Sequence, residues 1–276
     1  FLMIRRPPRS TPLYSSAASY VYKRQPHNYW KIMMGSLVPT GSALIHQVRS
    51  IAAEAGAIIN SLIPISGVVE YDLKHDMSPV TKADKAANDH IVTALKRIQP
   101  GAVIVAEESA GSTDAIENPS EPFWLVDPLD GTKEFIAGRD EFTVNIALIV
   151  QRKPQLGVIY LPAQDRIYWG EKGVGAFRAS GEKNPIQIST RPIPPAGPTA
   201  VGSRSHSNAA TREWLSQQKI TDFQAAGSSL KFCKVAEGSA DIYPRFGRTM
   251  EWDIAAGHAI LEAAGGRVKP MTGGSL

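Results

Sequence analysis

The stretch Trp124-Leu-Val-Asp127-Pro-Leu-Asp130-Gly-Thr132-Lys-Glu-Phe135 sets the reading of the whole chain. Trp124 to Val126 is an apolar run that reads as a buried strand, and Pro128 fixes the backbone between two acids. Gly131 and Thr132 open a helix whose first N–H groups lack partners within it. Two carboxylates and a helix start therefore converge on one point. Alone there the acids would repel, whereas around Mg²⁺ beside an anion-binding helix start they make a phosphate-ester site. The segment is also compatible with an ordinary turn in which Asp127 and Asp130 are turn and cap residues, so by itself it leaves both readings open.

The 276 residues, 43% of them hydrophobic, suffice for one large domain or two modest ones. No apolar run reaches the roughly 18–20 residues needed to cross a bilayer, so the expectation is a protein without a transmembrane segment. Cys233 is the single cysteine, which excludes a disulfide framework or a Cys-based zinc site and suits a cytoplasmic setting. A peripheral place at the cytoplasmic face of the inner membrane stays open.

The net charge of +4 comes from one end. Arg5, Arg6, Arg9, Lys23, Arg24 and Lys31 precede the first acid, Glu54; without these six, 24 cations face 26 acids, a net −2. The body is therefore not basic, which argues against a nucleic-acid partner. Residues 1–36 show no amphipathic period and are expected to be a disordered leader foreign to the fold. Their basic composition is that of a transit peptide, but prolines and the missing helical face favour translated adaptor or vector-junction DNA, with a natural start at Met33 or Met34.

Periodicity predicts a helix from a Ser42 cap to Leu62 and another over 83–98, closed by Pro100-Gly101. Strands are expected at 102–106, 124–126, 142–150, 157–161, 166–170, 175–178 and 186–189. Pro192 to Pro198 reads as a linker. Beyond it, strand 199–202, helix 209–219, helix 229–237, strand 241–244 and helix 253–264 alternate as in a layered α/β unit. The expected division is an N-terminal metal-binding α+β domain over 37–190 and a C-terminal α/β domain over 191–276. The latter breaks off after the start of a further strand, as if truncated.

Four acidic segments fall at element boundaries: Asp84, Glu107-Glu108, Asp127 with Asp130, and Asp253 in Trp252-Asp-Ile-Ala-Ala-Gly257. Each alone also reads as a helix-end charge or a solvated loop. In this order and spacing they resemble the inositol monophosphatase superfamily of Mg²⁺-dependent, lithium-sensitive phosphatases. The resemblance implies a layered α-β-α-β-α sandwich of the inositol monophosphatase and fructose-bisphosphatase type. It implies two or three Mg²⁺ ions, the first bound by Glu107 and Asp127, the second by Asp127, Asp130 and Asp253, with the Leu129 carbonyl completing the set. Thr132, paired with Glu107 or Asp84, would orient the attacking water, while Gly131 and Thr132 N–H groups would hold phosphate oxygens.

Five further segments are similar to the bacterial 3′(2′),5′-bisphosphate nucleotidase branch: 127–135, 141–147, Gly202-Ser-Arg-Ser-His206, Gly227-Ser-Ser-Leu-Lys231-Phe-Cys233 and Tyr243-Pro-Arg245-Phe246. The similarity implies hydrolysis of adenosine 3′,5′-bisphosphate to AMP and phosphate, a step that clears a by-product of sulfate assimilation. Lys231 and Arg245, with Ser203, His206, Ser228 and Asp253, would bind this small nucleotide. A guanidinium at 245 binds phosphate bidentately but accepts no hydrogen bond from a sugar hydroxyl. The alternatives are an inositol monophosphatase or another sugar-phosphate phosphatase, and a non-catalytic nucleotide-binding module.

Overall fold

The structure, a computed structural model, describes residues 2–5, 42–109, 120–181, 183–203, 209–247 and 249–270. Its centre is a seven-stranded sheet of β4 (Val103–Ala106), β5 (Phe123–Asp130), β6 (Thr143–Val150), β7 (Lys153–Leu161), β8 (Arg166–Glu171), β9 (Gly175–Ser180) and β10 (Ile186–Ile188), ordered β10-β9-β8-β7-β6-β5-β4. Only β4 and β5 run parallel; the rest is an antiparallel meander. Both faces are covered, so the central strands are continuous apolar runs rather than alternating ones.

Helices α1 (Ser42–Ser61) and α2 (Lys82–Ile98) cover one face, against Trp124, Val126, Ile146 and Val158. Ser42 is the first helical residue, one place later in role than the expected cap. The α2 end is a full capping box: the Thr81 hydroxyl accepts from Ala83 N–H, and Asp84 accepts from Thr81 N–H. Trp124, fully buried, donates its indole N–H to Gln99 Oε1 at 2.9 Å, closing the end of α2 onto the sheet.

Helices α5 (Leu230–Ala236) and α6 (Glu251–Ala263) fill the layer on the other face. Beyond them lies a five-stranded sheet ordered β12-β11-β13-β1-β14, built from β11 (Ala200–Ser203), β12 (Phe223–Ala226), β13 (Ile242–Arg245), β14 (Arg267–Pro270) and β1 (Leu2–Arg5). Helix α4 (Ala209–Gln217) packs Leu215 on Ala200 and Ile242 as the outermost layer. Helix, sheet, helix, sheet, helix is the expected sandwich. A small hairpin, β2 (Asp72–Leu73) with β3 (Pro79–Val80), and strand β12 have no counterpart in the sequence reading. Two- to four-residue strands carry too few side chains to establish a period.

Leu2–Arg5, within the segment expected to be a leader, pairs antiparallel with both β13 and β14. Residues 6–36 lie outside the described residues.

Helix α6 is apolar on several sides because it lies between sheets. It sits close to β7 and β8 because a ladder of small residues runs beneath it: Ala147, Gly157, Gly170 and Ala176 are consecutive register partners across β6 to β9. A Cβ on Gly157 would lie 2.3 Å from the Ala256 carbonyl oxygen, and one on Gly170 would lie 2.6 Å from Ile260 Cα. Both clashes are with helix backbone, which cannot rotate away. Gly157→Ala is therefore expected to cost about 1–3 kcal/mol, read as a lower urea midpoint. It should also shift Asp253 in the first turn of α6 and lower activity; an unchanged midpoint would refute the seat.

Candidate active site

The two acids of Asp127-Pro-Leu-Asp130 lie inside β5, not in a turn after it. In a regular strand residues three apart point to opposite faces. Here Asp127 pairs with Asn145 and Asp130 with Thr143, so three steps on β5 match two on β6. The bulge falls at Pro128, which has no N–H to give the ladder. It turns both carboxylates to the face carrying Phe123 and Leu125, into the layer that holds α6. There Asp253, at the third position of α6, joins them, its Oδ2 accepting from Thr249 Oγ1 at 2.9 Å and Met250 N at 3.0 Å. Glu107, in the single 3-10 turn after β4, comes from the neighbouring strand.

The consequence is crowding of like charge. Burial, then the carboxylates of Glu107, Asp130 and Asp253, push Asp127 well above the ordinary carboxylate range. Burial and Asp130 push Asp253 up to about 6. Hydroxyls and one ammonium relieve part of this. Asp130 Oδ2 accepts from Ser228 Oγ at 2.7 Å and Ser229 Oγ at 2.9 Å. Asn145, fixed by Thr143 at 3.0 Å, donates to Ser229 Oγ at 3.0 Å, and Thr143 and Ser228 share a hydrogen bond. Lys74 reaches Glu107 at 2.8 Å.

On the other side of Asp130, Gly131 takes φ of 92°, a left-handed value that favours glycine, to start the short helix α3 (Thr132–Ile136). The Thr132 hydroxyl lies 3.1 Å from Asp84 Oδ1 and 3.2 Å from the Leu129 carbonyl oxygen. Asp84 is buried, which raises its pKa, while Thr81 and Thr132 hydrogen bonds oppose the rise. Of the two partners expected for Thr132, the geometry takes Asp84; Glu107 is engaged by Lys74.

Of these groups Glu107, Asp130, Gly131, Thr132, Ser228, Ser229 and Asp253 line one cavity of about 240 Å³, together with Ser203, Lys231, Tyr243 and Arg245. Arg245 contacts the Tyr243 hydroxyl at 3.1 Å and Asp253 Oδ2 at 3.8 Å. Lys231 is buried, donates to the Ser228 carbonyl and stands 5.5 Å from the centre of the Tyr243 ring. One of its three N–H donors is thus committed within the described structure. The structure brings together all the expected residues except His206, which lies outside the described residues. Lys74, Thr81, Thr143, Asn145, Ser229 and Thr249 were not expected. Only Thr143 and Asn145 carried a signal, as polar residues two apart in an otherwise apolar strand.

The donors are hard oxygens, and the charge they bring together is the kind a hard divalent cation neutralises. Among the described residues, no three His, Cys, Asp or Glu side chains already close on one point as a finished cation site. The chemistry of the donor set and the repulsion at Asp127 fit a hard divalent cation none the less.

A carboxylate-rich phosphoester site in a five-layer α/β sandwich is the class this geometry defines. The model of the inositol monophosphatase family matches residues 42–276, and the chain belongs to that family, one of metal-dependent phosphatases. It is 43% identical over 234 residues to the 3′(2′),5′-bisphosphate nucleotidase CysQ of Salmonella typhimurium, covering 84% of this chain and 93% of that protein. The crystal structure of CysQ from Bacteroides thetaiotaomicron superposes with a TM-score of 0.67 at 36% identity, over 81% of this chain and 87% of the other. An inositol monophosphatase from Anabaena gives 0.67 at 28% identity, over 85% and 86%.

Replacing Asp127 by the isosteric asparagine removes the most strongly opposed charge. Without divalent cations, Asp127→Asn is expected to melt about 2–4 °C higher than the wild type. Mg²⁺ should stabilise the wild type far more than the variant, and phosphatase activity should fall by more than about 100-fold. Calorimetry in EDTA and in Mg²⁺, with phosphate release, checks all three; a variant that melts lower in EDTA would contradict the repulsion.

Proposed function

We propose that this chain is a Mg²⁺-dependent 3′(2′),5′-bisphosphate nucleotidase that converts adenosine 3′,5′-bisphosphate to AMP and phosphate, acting in the cytoplasm to clear a by-product of sulfate assimilation. One observation carries the reading: a single cavity is lined by the carboxylates of Glu107, Asp130 and Asp253 and by the cations of Lys231 and Arg245. A substrate with one phosphate to be cleaved and another to be held matches both sets of groups. The nucleotidase relatives from Salmonella and Bacteroides support the same reading.

Mg²⁺ ions held by Glu107, Asp127, the Leu129 carbonyl, Asp130 and Asp253 would supply Lewis acidity to the phosphoryl oxygens and acidify a coordinated water. The chain's own residues do the rest. Asp84, fixed by Thr81, accepts the Thr132 proton, so a lone pair of Thr132 is left to accept from the attacking water. The Gly131 and Thr132 N–H groups face the equatorial phosphate oxygens, where charge develops. As water oxygen bonds to phosphorus the P–O3′ bond breaks, and the 3′ oxygen leaves as a hydroxyl once protonated by water. No side chain becomes phosphorylated. Ser228 and Ser229 keep Asp130 aligned. Arg245, with Lys231 behind it, takes the 5′-phosphate as a two-pronged donor.

An inositol monophosphatase reading suffers at Arg245, which accepts nothing from sugar hydroxyls. Phosphate release from adenosine 3′,5′-bisphosphate should therefore exceed that from inositol 1-phosphate, and the reverse order would overturn the assignment. Arg245→Gln is expected to lower kcat/KM for the bisphosphate by about 10- to 100-fold, with a much smaller loss on a simple aryl phosphate. Equal losses on both substrates would remove the clamp.

A further inference from the structure

Glu141 opens the segment 141–147, yet it has no part in the mechanism above and does not line the cavity. It stands just before β6, the strand that carries Thr143 and Asn145, and its Oε2 accepts the Gly227 N–H at 3.0 Å. Gly227 is the first residue after β12, so this bond runs from the start of β6 in the large sheet to the end of β12 in the small one. The contact is close as well as polar. A Cβ on Gly227 would lie 2.8 Å from the Glu141 carbonyl oxygen and 2.9 Å from Glu141 Cβ, although Gly227 does not have the left-handed φ that itself favours glycine. A Cβ on Gly131 would meet the same carbonyl oxygen and Ser228 Cβ, both at 3.3 Å. Residue 141 is therefore the surface on which the Gly131 corner and the 227–229 turn both rest.

We infer that Glu141 is a positioning residue: by accepting the Gly227 N–H it holds the 227–229 turn in register with both halves of the site, the carboxylate Asp130 and the cation Lys231. Two branches leave that turn. Ser228 and Ser229 donate to Asp130 Oδ2 at 2.7 Å and 2.9 Å, and the Ser228 carbonyl accepts from Lys231. Ser228, at φ 49°, is in a backbone state disfavoured for serine, so the turn tends to relax once its anchor at Gly227 is lost. Relaxation takes hydroxyls away from Asp130 and moves the support of Lys231 in the same step. An amide oxygen accepts an N–H as a carboxylate oxygen does, so the role belongs to the acceptor and not to its charge. The inference rests on the metal and nucleotidase reading of the site.

Two variants of the full chain test it: Glu141→Leu, which keeps bulk but offers no acceptor, and Glu141→Gln, which keeps the acceptor. In calorimetric titration with Mg²⁺ alone, Glu141→Leu is expected to bind about tenfold more weakly than the wild type and Glu141→Gln within about twofold of it. In a background of Ser228→Ala with Ser229→Ala, Glu141→Leu should weaken Mg²⁺ binding by less than about a further twofold, because the route to Asp130 is already cut. At saturating Mg²⁺, the KM of Glu141→Leu for adenosine 3′,5′-bisphosphate should rise about five- to tenfold, and that for a simple aryl phosphate less than about twofold. Gly227→Ala, which leaves Glu141 in place and pushes the turn off it, should reproduce both shifts and serves if Glu141→Leu does not fold. A glutamine variant as weak as the leucine one, an undiminished loss in the background without the serine hydroxyls, or equal KM shifts on both substrates would overturn the positioning role. A wild type that binds Mg²⁺ no better than Glu141→Leu removes Glu141's role alone, whereas a wild type that binds no Mg²⁺ removes the metal reading as well.

Discussion

Asp127 is 1% exposed and lies among the carboxylates of Glu107, Asp130 and Asp253. Folding normally avoids such an arrangement, because removing an anion from water and placing it beside others raises its energy twice over. Much of the molecule answers to this one constraint. The bulge at Pro128 turns Asp127 and Asp130 to the same side. Asn145 and Thr143 on β6 steady the serines that serve Asp130, Thr249 and the Met250 N–H cap Asp253, and Lys74 meets Glu107. These supports reduce the repulsion without cancelling it. A folded state with residual repulsion among oxygen donors holds its affinity for hard cations in reserve, as strain that binding releases.

The support comes from parts of the chain far apart in sequence. Ser229 shows this best: its hydroxyl lies 2.9 Å from Asp130 Oδ2 and 3.0 Å from the Asp253 carbonyl oxygen, so one side chain ties β5 of the large sheet to the first turn of α6. A hydroxyl has a single proton to place between them. Ser228, at φ 49°, is held in a left-handed conformation that lets consecutive serines reach the same carboxylate oxygen. Such a backbone state is disfavoured for serine by itself and persists because Asp130, Thr143 and Lys231 all hold this turn.

The fold was legible where elements are long. The periods of α1, α2 and α6 and the apolar runs of β5 to β8 read directly, since each is either amphipathic or buried on both sides. The acids that the fold brings together were legible too, because Asp127, Asp130 and Asp253 interrupt apolar runs. What escaped was short or cooperative. The hairpin of β2 and β3 has two residues per strand, and Lys74 gains its meaning only from Glu107, a long way along the chain. The bulge was read as a turn, because D-P-x-D suits either and only the pairing with Asn145 and Thr143 separates them. Thr132 had two expected partners, and choosing Asp84 required knowing that Lys74 engages Glu107.

The seating of α6 on Gly157 and Gly170 divides the active site into parts that can change at different rates. The spacing between the acids of β5 and Asp253 is set by backbone resting on backbone, which leaves a drifting sequence little room to adjust it. Arg245 and Lys231 stand on β13 and α5, and their side chains can be exchanged without altering that spacing. A scaffold of this kind keeps one reaction while trying new leaving groups. Diversity of substrates among its descendants should therefore be written on β13 and α5, and the tolerance of those positions to substitution should be much greater than that of two glycines that touch no substrate at all.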